Sequence, residues 1–183
     1  MKLRPNQIKE HFAKGQVLPV YILSGDETLL MQEAADHIRK ACRQQGFTER
    51  ELFPVEAGFD WSNLLEAGNS MSLFGDRKIL EVRHNKPKFD DAAKKTLQKY
   101  CENPNPDNVL LLIIPKVDKK TQSTKWFQQI EKNGALIQVW PIDINQLPQW
   151  IHQRMRGAGL EPSREAVQLL AERVEGNLLA ASQ

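Results

Sequence analysis

Short apolar blocks alternate along this chain with longer stretches in which apolar residues return every three or four positions. Leu18-Pro19-Val20-Tyr21-Ile22-Leu23 is a block of the first kind, rich in β-branched and aromatic residues, and predicts a buried strand. It breaks at Ser24-Gly25. From Asp26 to about Gln45, Leu30, Ala34, Ile38, Ala41 and Cys42 recur at helical spacing while Gln, Arg and Lys fill the other face, which predicts an amphipathic helix. The rhythm continues with strands over 51–55 and 77–82 and helices over 60–69 and 90–101, the last stopped by Asn103-Pro104-Asn105-Pro106. Asn108-Val109-Leu110-Leu111-Leu112-Ile113-Ile114 is the most apolar run, the pattern of a central strand covered on both faces. A helix over 124–133 and a strand over 135–139 follow, and a short helix over 7–14 precedes the whole. Five strands interleaved with helices predict a three-layer α/β domain on a parallel sheet.

After Trp140-Pro141-Ile142-Asp143 the pattern turns wholly helical, which places a domain boundary near residue 141 and divides the chain into 1–140 and 141–183. Helices are expected over 145–157 and 163–174, with Gly159-Leu160-Glu161-Pro162 as stop and start, Ser163 as cap, and another beginning after Gly176. That last helix has two turns at most. Two helices and a stub enclose little core, so the small helical domain is expected to be truncated at its C-terminus.

A strand-turn-helix at the head of a parallel domain is where a phosphate-binding loop would sit, because a helix start offers free N–H groups to anions. The residues there are Ser24-Gly25-Asp26-Glu27, without the second glycine, lysine and hydroxyl of G-x-x-x-x-G-K-[ST]. Ser24 and Glu27 match the S-x-x-E capping box, which would satisfy the helix start internally. The apolar run ending at Ile114 is followed by Pro115-Lys116 instead of a magnesium-binding acid, and Asp118 reads as a turn residue. The nucleotide site is therefore expected to be degenerate.

The 25 basic and 23 acidic residues leave a formal charge of +2, too little to draw nucleic acid or anionic lipid to the surface as a whole. Cys42 and Cys101 lie far apart, which excludes a zinc knuckle and fits a reducing, cytoplasmic compartment. No apolar run approaches the roughly 20 residues of a membrane span. His11, His37, His84 and His152 are scattered, so no metal site is expected. His37 and Cys42 fall about 140° apart around one helix, which separates them as a nucleophile pair. Lys116-Val117-Asp118-Lys119-Lys120-Thr121, with Lys125 and Trp126, reads as solvated surface, with contact to a phosphate backbone as the alternative. Trp61, Trp126, Trp140 and Trp150 are expected to anchor helices and the domain junction.

One segment departs from this bland chemistry. In Asn69-Ser70-Met71-Ser72-Leu73-Phe74-Gly75-Asp76-Arg77 three large apolar residues, Met71, Leu73 and Phe74, occupy a short helix-to-strand connection. They serve either as an anchor folded onto their own domain or as an exposed docking plug.

This M-S-L-F before a basic residue and a strand, together with Y-I-L-S-G-D-E-T-L-L-M-Q-E near the start and E-G-N-L-L-A near the end, resembles the delta subunit of the bacterial DNA polymerase III clamp loader, in the family's order. The resemblance covers essentially the whole chain. It implies an AAA+-like fold whose nucleotide site is degenerate, followed by most of a helical lid domain. It also implies that Met71, Leu73 and Phe74 insert into a hydrophobic pocket of the sliding clamp, the beta subunit. The function so implied is to open the clamp, or trap it open, for loading onto primed DNA during replication. Such a subunit belongs to a DNA-directed DNA polymerase holoenzyme, has no catalytic residue or cofactor of its own, and does not bind ATP. Other clamp-loader subunits would be met through a third, collar-forming domain absent here, and DNA only indirectly. The residues alone leave two rivals, an AAA+-like nucleotide-binding enzyme and a DNA-binding module using the 116–125 region.

Overall fold

The computed structural model describes residues 1–15, 17–70, 77–174 and 176–183. Those residues form two compact units, Met1–Asp26 with Leu30–Val139, and Glu27–Leu29 with Trp140–Gln183.

The first unit is built on a six-stranded sheet of order β1-β6-β2-β5-β4-β3. Its strands are β1 (Lys2–Leu3), β2 (Val20–Gly25), β3 (Phe47–Val55), β4 (Arg77–His84), β5 (Asn108–Ile114) and β6 (Gly134–Val139), and every pair is parallel. Between them lie α1 (Ile8–Ala13), α2 (Thr28–Gln44), α3 (Ser62–Asn69), α4 (Asp91–Glu102), α5 (Lys119–Gln122) and α6 (Lys125–Lys132).

Strand alternation feeds two cores. Tyr21, Leu23, Val109 and Leu111 face α1 and α2, where Phe12, Ala34, Ile38 and Cys42 cover them. Val20, Ile22, Leu110 and Leu112 face the opposite way, under Leu64, Leu97, Phe127 and Ile130 from α3, α4 and α6. β5 is thus covered on both faces, as its uniform apolarity demands. The three-layer α/β expectation holds.

Two strand boundaries differ from expectation for one reason, their place at a sheet edge. β3 begins at Phe47 and not near 51, since an edge strand buries only Phe47 and Phe53 fully and leaves Thr48 to Leu52 outside. β1, a sixth strand, was not expected because it is two residues long, with Leu3 its only apolar member. Its pairing is extended by Leu136 N–H donating to Met1 O at 2.9 Å and by the terminal amine donating to Gly134 O at 2.7 Å. The opening helix also starts later than expected, after a 3-10 turn over Pro5–Gln7.

In the second unit α7 (Leu147–Gly157), α8 (Arg164–Val174) and α9 (Leu178–Ala181) are present as the pattern requires. Ser163 caps α8 by accepting from Ala166 N–H at 3.2 Å, and Asn177 caps α9 through Ala180 N–H at 3.0 Å. Among the described residues its buried apolar side chains are Leu29, Leu147, Ile151, Val167, Ala171 and Leu178. Among the described residues no helix is long and apolar enough to cross a membrane.

Candidate functional site

Met71, Leu73 and Phe74 lie outside the described residues; the structure does describe how the chain enters and leaves their segment. At the exit of α3, Ser70 N–H donates to Glu66 O at 2.8 Å and its Oγ to Ala67 O at 2.9 Å. The two ends are tied directly by Lys78 Nζ, which donates to Ser70 Oγ at 3.0 Å. At the entry to β4 the Arg77 guanidinium lies 3.9 Å from the centre of the Phe47 ring and donates to Gln45 O at 2.9 Å and Pro106 O at 3.2 Å. Gly68 O accepts from Asn108 Nδ2 at 2.7 Å, and a Cβ on Gly68 would meet the Tyr100 ring at 3.0 Å, so glycine lets α3 close onto α4. The connection therefore leaves the amino-terminal edge of the sheet from two fixed anchors. Anchors fixed beforehand reduce what a docking segment loses in freedom on binding.

The opposite, carboxyl-terminal edge is where α/β folds hold ligands, and here it is stitched by side chains. Ser24 does not cap α2: it is the buried penultimate residue of β2, its Oγ donating to Pro115 O and accepting from Val117 N–H, both at 3.1 Å. The expected capping box is corrected on this point, because a strand residue facing the neighbouring β5 loop has its hydroxyl engaged there. Asp26 accepts from Lys116 N–H at 3.0 Å across the same gap. Gly25 is required by packing, since a Cβ there would come within 2.5 Å of Val139 O.

A feature the sequence reading missed sits mid-strand in β4. Glu81 is fully buried, and Arg39 of α2, Arg50 of β3 and Arg83 of β4 all reach its carboxylate at 2.8–3.1 Å. Burial alone would raise its pKa; the hydrogen bonds from the three guanidiniums outweigh that and hold it below the usual carboxylate range. The available signal was one acid inside an otherwise apolar Ile79-Leu80-Glu81-Val82 strand.

The remaining candidates stay apart. Cys42 and Cys101 are buried and burial pushes each thiol to about 12, while His37 is exposed. His11 bonds Tyr21 Oη at 2.9 Å, and His84 bonds Lys86 O at 2.6 Å. No group of three metal-ligating side chains forms among the described residues. Asp118 caps α5 through Thr121 N–H at 2.7 Å, in keeping with a turn role. Trp61 is in the core and Trp126 packs against it, whereas Trp140 is 54% exposed.

Three comparisons with known proteins bear on this arrangement. A family model described as DNA polymerase III, delta subunit, matches residues 21–139. The DNA polymerase III subunit delta of Haemophilus influenzae is 33% identical over 186 aligned positions, covering all of this chain and 53% of that protein. Its Escherichia coli counterpart is 29% identical, again over all of this chain and 53% of the relative. The chain thus spans about half the length of the curated relatives it matches. Among solved structures, the Bacillus subtilis DNA clamp loader delta protein superposes with a TM-score of 0.70 at 20% identity, over 98% of this chain and 55% of that one. The Thermotoga maritima RuvB Holliday junction branch migration motor gives 0.61 at 14% identity, over 97% and 59%. At those identities the structures speak for a shared fold.

Proposed function

The chain belongs to the DNA polymerase III delta-subunit family, and from that premise we propose that it grips the sliding clamp with Met71, Leu73 and Phe74 and holds one interface of the ring open without hydrolysing ATP. The observation that carries this reading is the M-S-L-F segment between two anchors fixed by Ser70, Arg77 and Lys78 at the sheet edge opposite the ligand crevice. Residues 1–140 serve as the clamp-binding domain and 141–183 as the helical lid, in a cytoplasmic protein that works with the clamp and other clamp-loader subunits.

Burying a leucine and a phenylalanine yields roughly 1.5–3 kcal/mol each before ordering costs, so such a plug can dominate a modest interface. Grip alone opens nothing. A binder shifts a closed-to-open equilibrium only by its differential affinity, so the neighbouring α/β surface must fit the relaxed interface better than the closed one. The absence of ATP chemistry is supported by Ser24 and Asp26, which close the gap between the ends of β2 and β5 with three hydrogen bonds, and by the missing P-loop lysine.

The test is release of clamp from closed circular DNA by the chain without nucleotide. Acceleration by the wild type and its loss in Leu73→Ala/Phe74→Ala support the proposal. Release that needs ATP, or micromolar ATP binding by calorimetry, overturns the nucleotide-independent part.

A further inference from the structure

The sequence scatters Lys88, Phe89, Lys94, Lys120 and Trp126 over almost forty positions, but the fold gathers them around one groove of about 550 Å3. It opens at the carboxyl-terminal edge of the sheet, between the loop after β4, the first turn of α4 and the α5–α6 corner. Phe89 and Trp126 form its apolar wall, with ring centres 5.1 Å apart. They end a row of rings in which Phe89 stacks on His84 at 4.4 Å and His84 lies 6.2 Å from Trp61, so the wall is rigidly backed. Lys88 and Lys120 are exposed, and Lys94 reaches Asp91, an exposed carboxylate 3.0 Å away. The carboxylate among the lining residues, Asp118, is turned onto Thr121 N–H.

We propose that this groove binds a single strand of nucleic acid, one base stacking on Trp126 while Lys88, Lys94 and Lys120 hold the flanking phosphates. Aromatic faces beside cations are what a sequence-tolerant single-strand site requires. The overall charge of +2 supplies no general attraction, so the affinity must be local to the groove. A duplex fits the site poorly, because its base faces are already stacked on one another and offer none to Trp126. The volume lies within the roughly 300–1,000 Å3 of pockets for small ligands and accommodates a nucleotide or two. Contact with DNA would then be direct, where the family resemblance implies only an indirect one. The site is independent of the clamp-binding segment, which leaves the opposite edge of the sheet.

The experiment is anisotropy titration of a labelled oligothymidylate with the full chain, without clamp, over a salt series. Three phosphate contacts predict a slope of about −2 in log affinity against log salt, at about 0.7 per contact. Lys88→Glu/Lys120→Glu weakens binding at least tenfold and flattens the slope, whereas Lys40→Glu/Lys132→Glu, an equal charge change at exposed residues of α2 and of the last turn of α6 that do not line the groove, has little effect. Trp126→Leu weakens it about fivefold or more; if that variant does not fold, the exposed lysine pair still decides. Equal loss in both lysine variants, equal competition by duplex of the same length, or equally tight binding of thymidine monophosphate alone overturns the proposal.

Discussion

Replacing Glu81 by alanine removes the one acceptor on which three guanidiniums converge, and the structure sets the scale of the damage. Arg39 is the critical partner, because its side chain is only 13% exposed, while those of Arg50 and Arg83 are 32% and 46% exposed and can turn toward water. Breaking a buried pair by removing one partner costs about 3–5 kcal/mol. With two of the three arginines able to rehydrate, the loss for Glu81→Ala falls near the lower figure, about 3 kcal/mol. Urea unfolding followed by circular dichroism reads this as a lower midpoint with the same slope. The pH dependence supplies a second check. The Glu81 pKa is depressed in the folded chain, so its contribution is complete above the ordinary value of about 4.5 and is lost as pH falls through the lower folded value. The gap between wild type and Glu81→Gln is therefore flat from pH 7 to about 5 and narrows in stronger acid. A loss below about 1 kcal/mol for Glu81→Ala, or a gap that widens in acid, refutes the reasoning.

Ser24→Ala leaves Val117 N–H without its acceptor and should cost about 1–3 kcal/mol in the same unfolding assay, without creating ATP binding by calorimetry. Gly68→Ala drives a Cβ against the Tyr100 ring and should cost about 1–3 kcal/mol, with α3 hydrogen exchange accelerated beside the proposed clamp-binding segment. Asp90→Ala deletes the cap on Ala93 N–H at 2.7 Å and should cost about 1 kcal/mol. Cys42 and Cys101, with thiols pushed to about 12 by burial, should both resist a disulfide reagent at pH 8 until the chain is denatured.

The architecture was legible where the chain is buried on both sides. Val20–Leu23 and Val109–Ile114 are apolar because helices cover both faces of their strands, and the strands follow from that pattern. Legibility failed at the edges, where β1 and the first half of β3 need few apolar residues. It also failed where long-range geometry decides a side chain's use. Ser24 matches a capping box in the linear sequence, yet strand pairing turns its hydroxyl to Val117. Glu81 looks like a solvated acid until α2 and β3 bring Arg39 and Arg50 to it. Phe89 lies almost forty positions from Trp126 in sequence, and only the fold brings the two rings to one groove.

Affinity of the chain for immobilised sliding clamp, wild type against Leu73→Ala/Phe74→Ala, tests the central claim most directly. Two buried apolar side chains at roughly 1.5–3 kcal/mol each predict a weakening of about 100-fold or more, with the unfolding midpoint unchanged. Equal affinity in a folded double variant would contradict it.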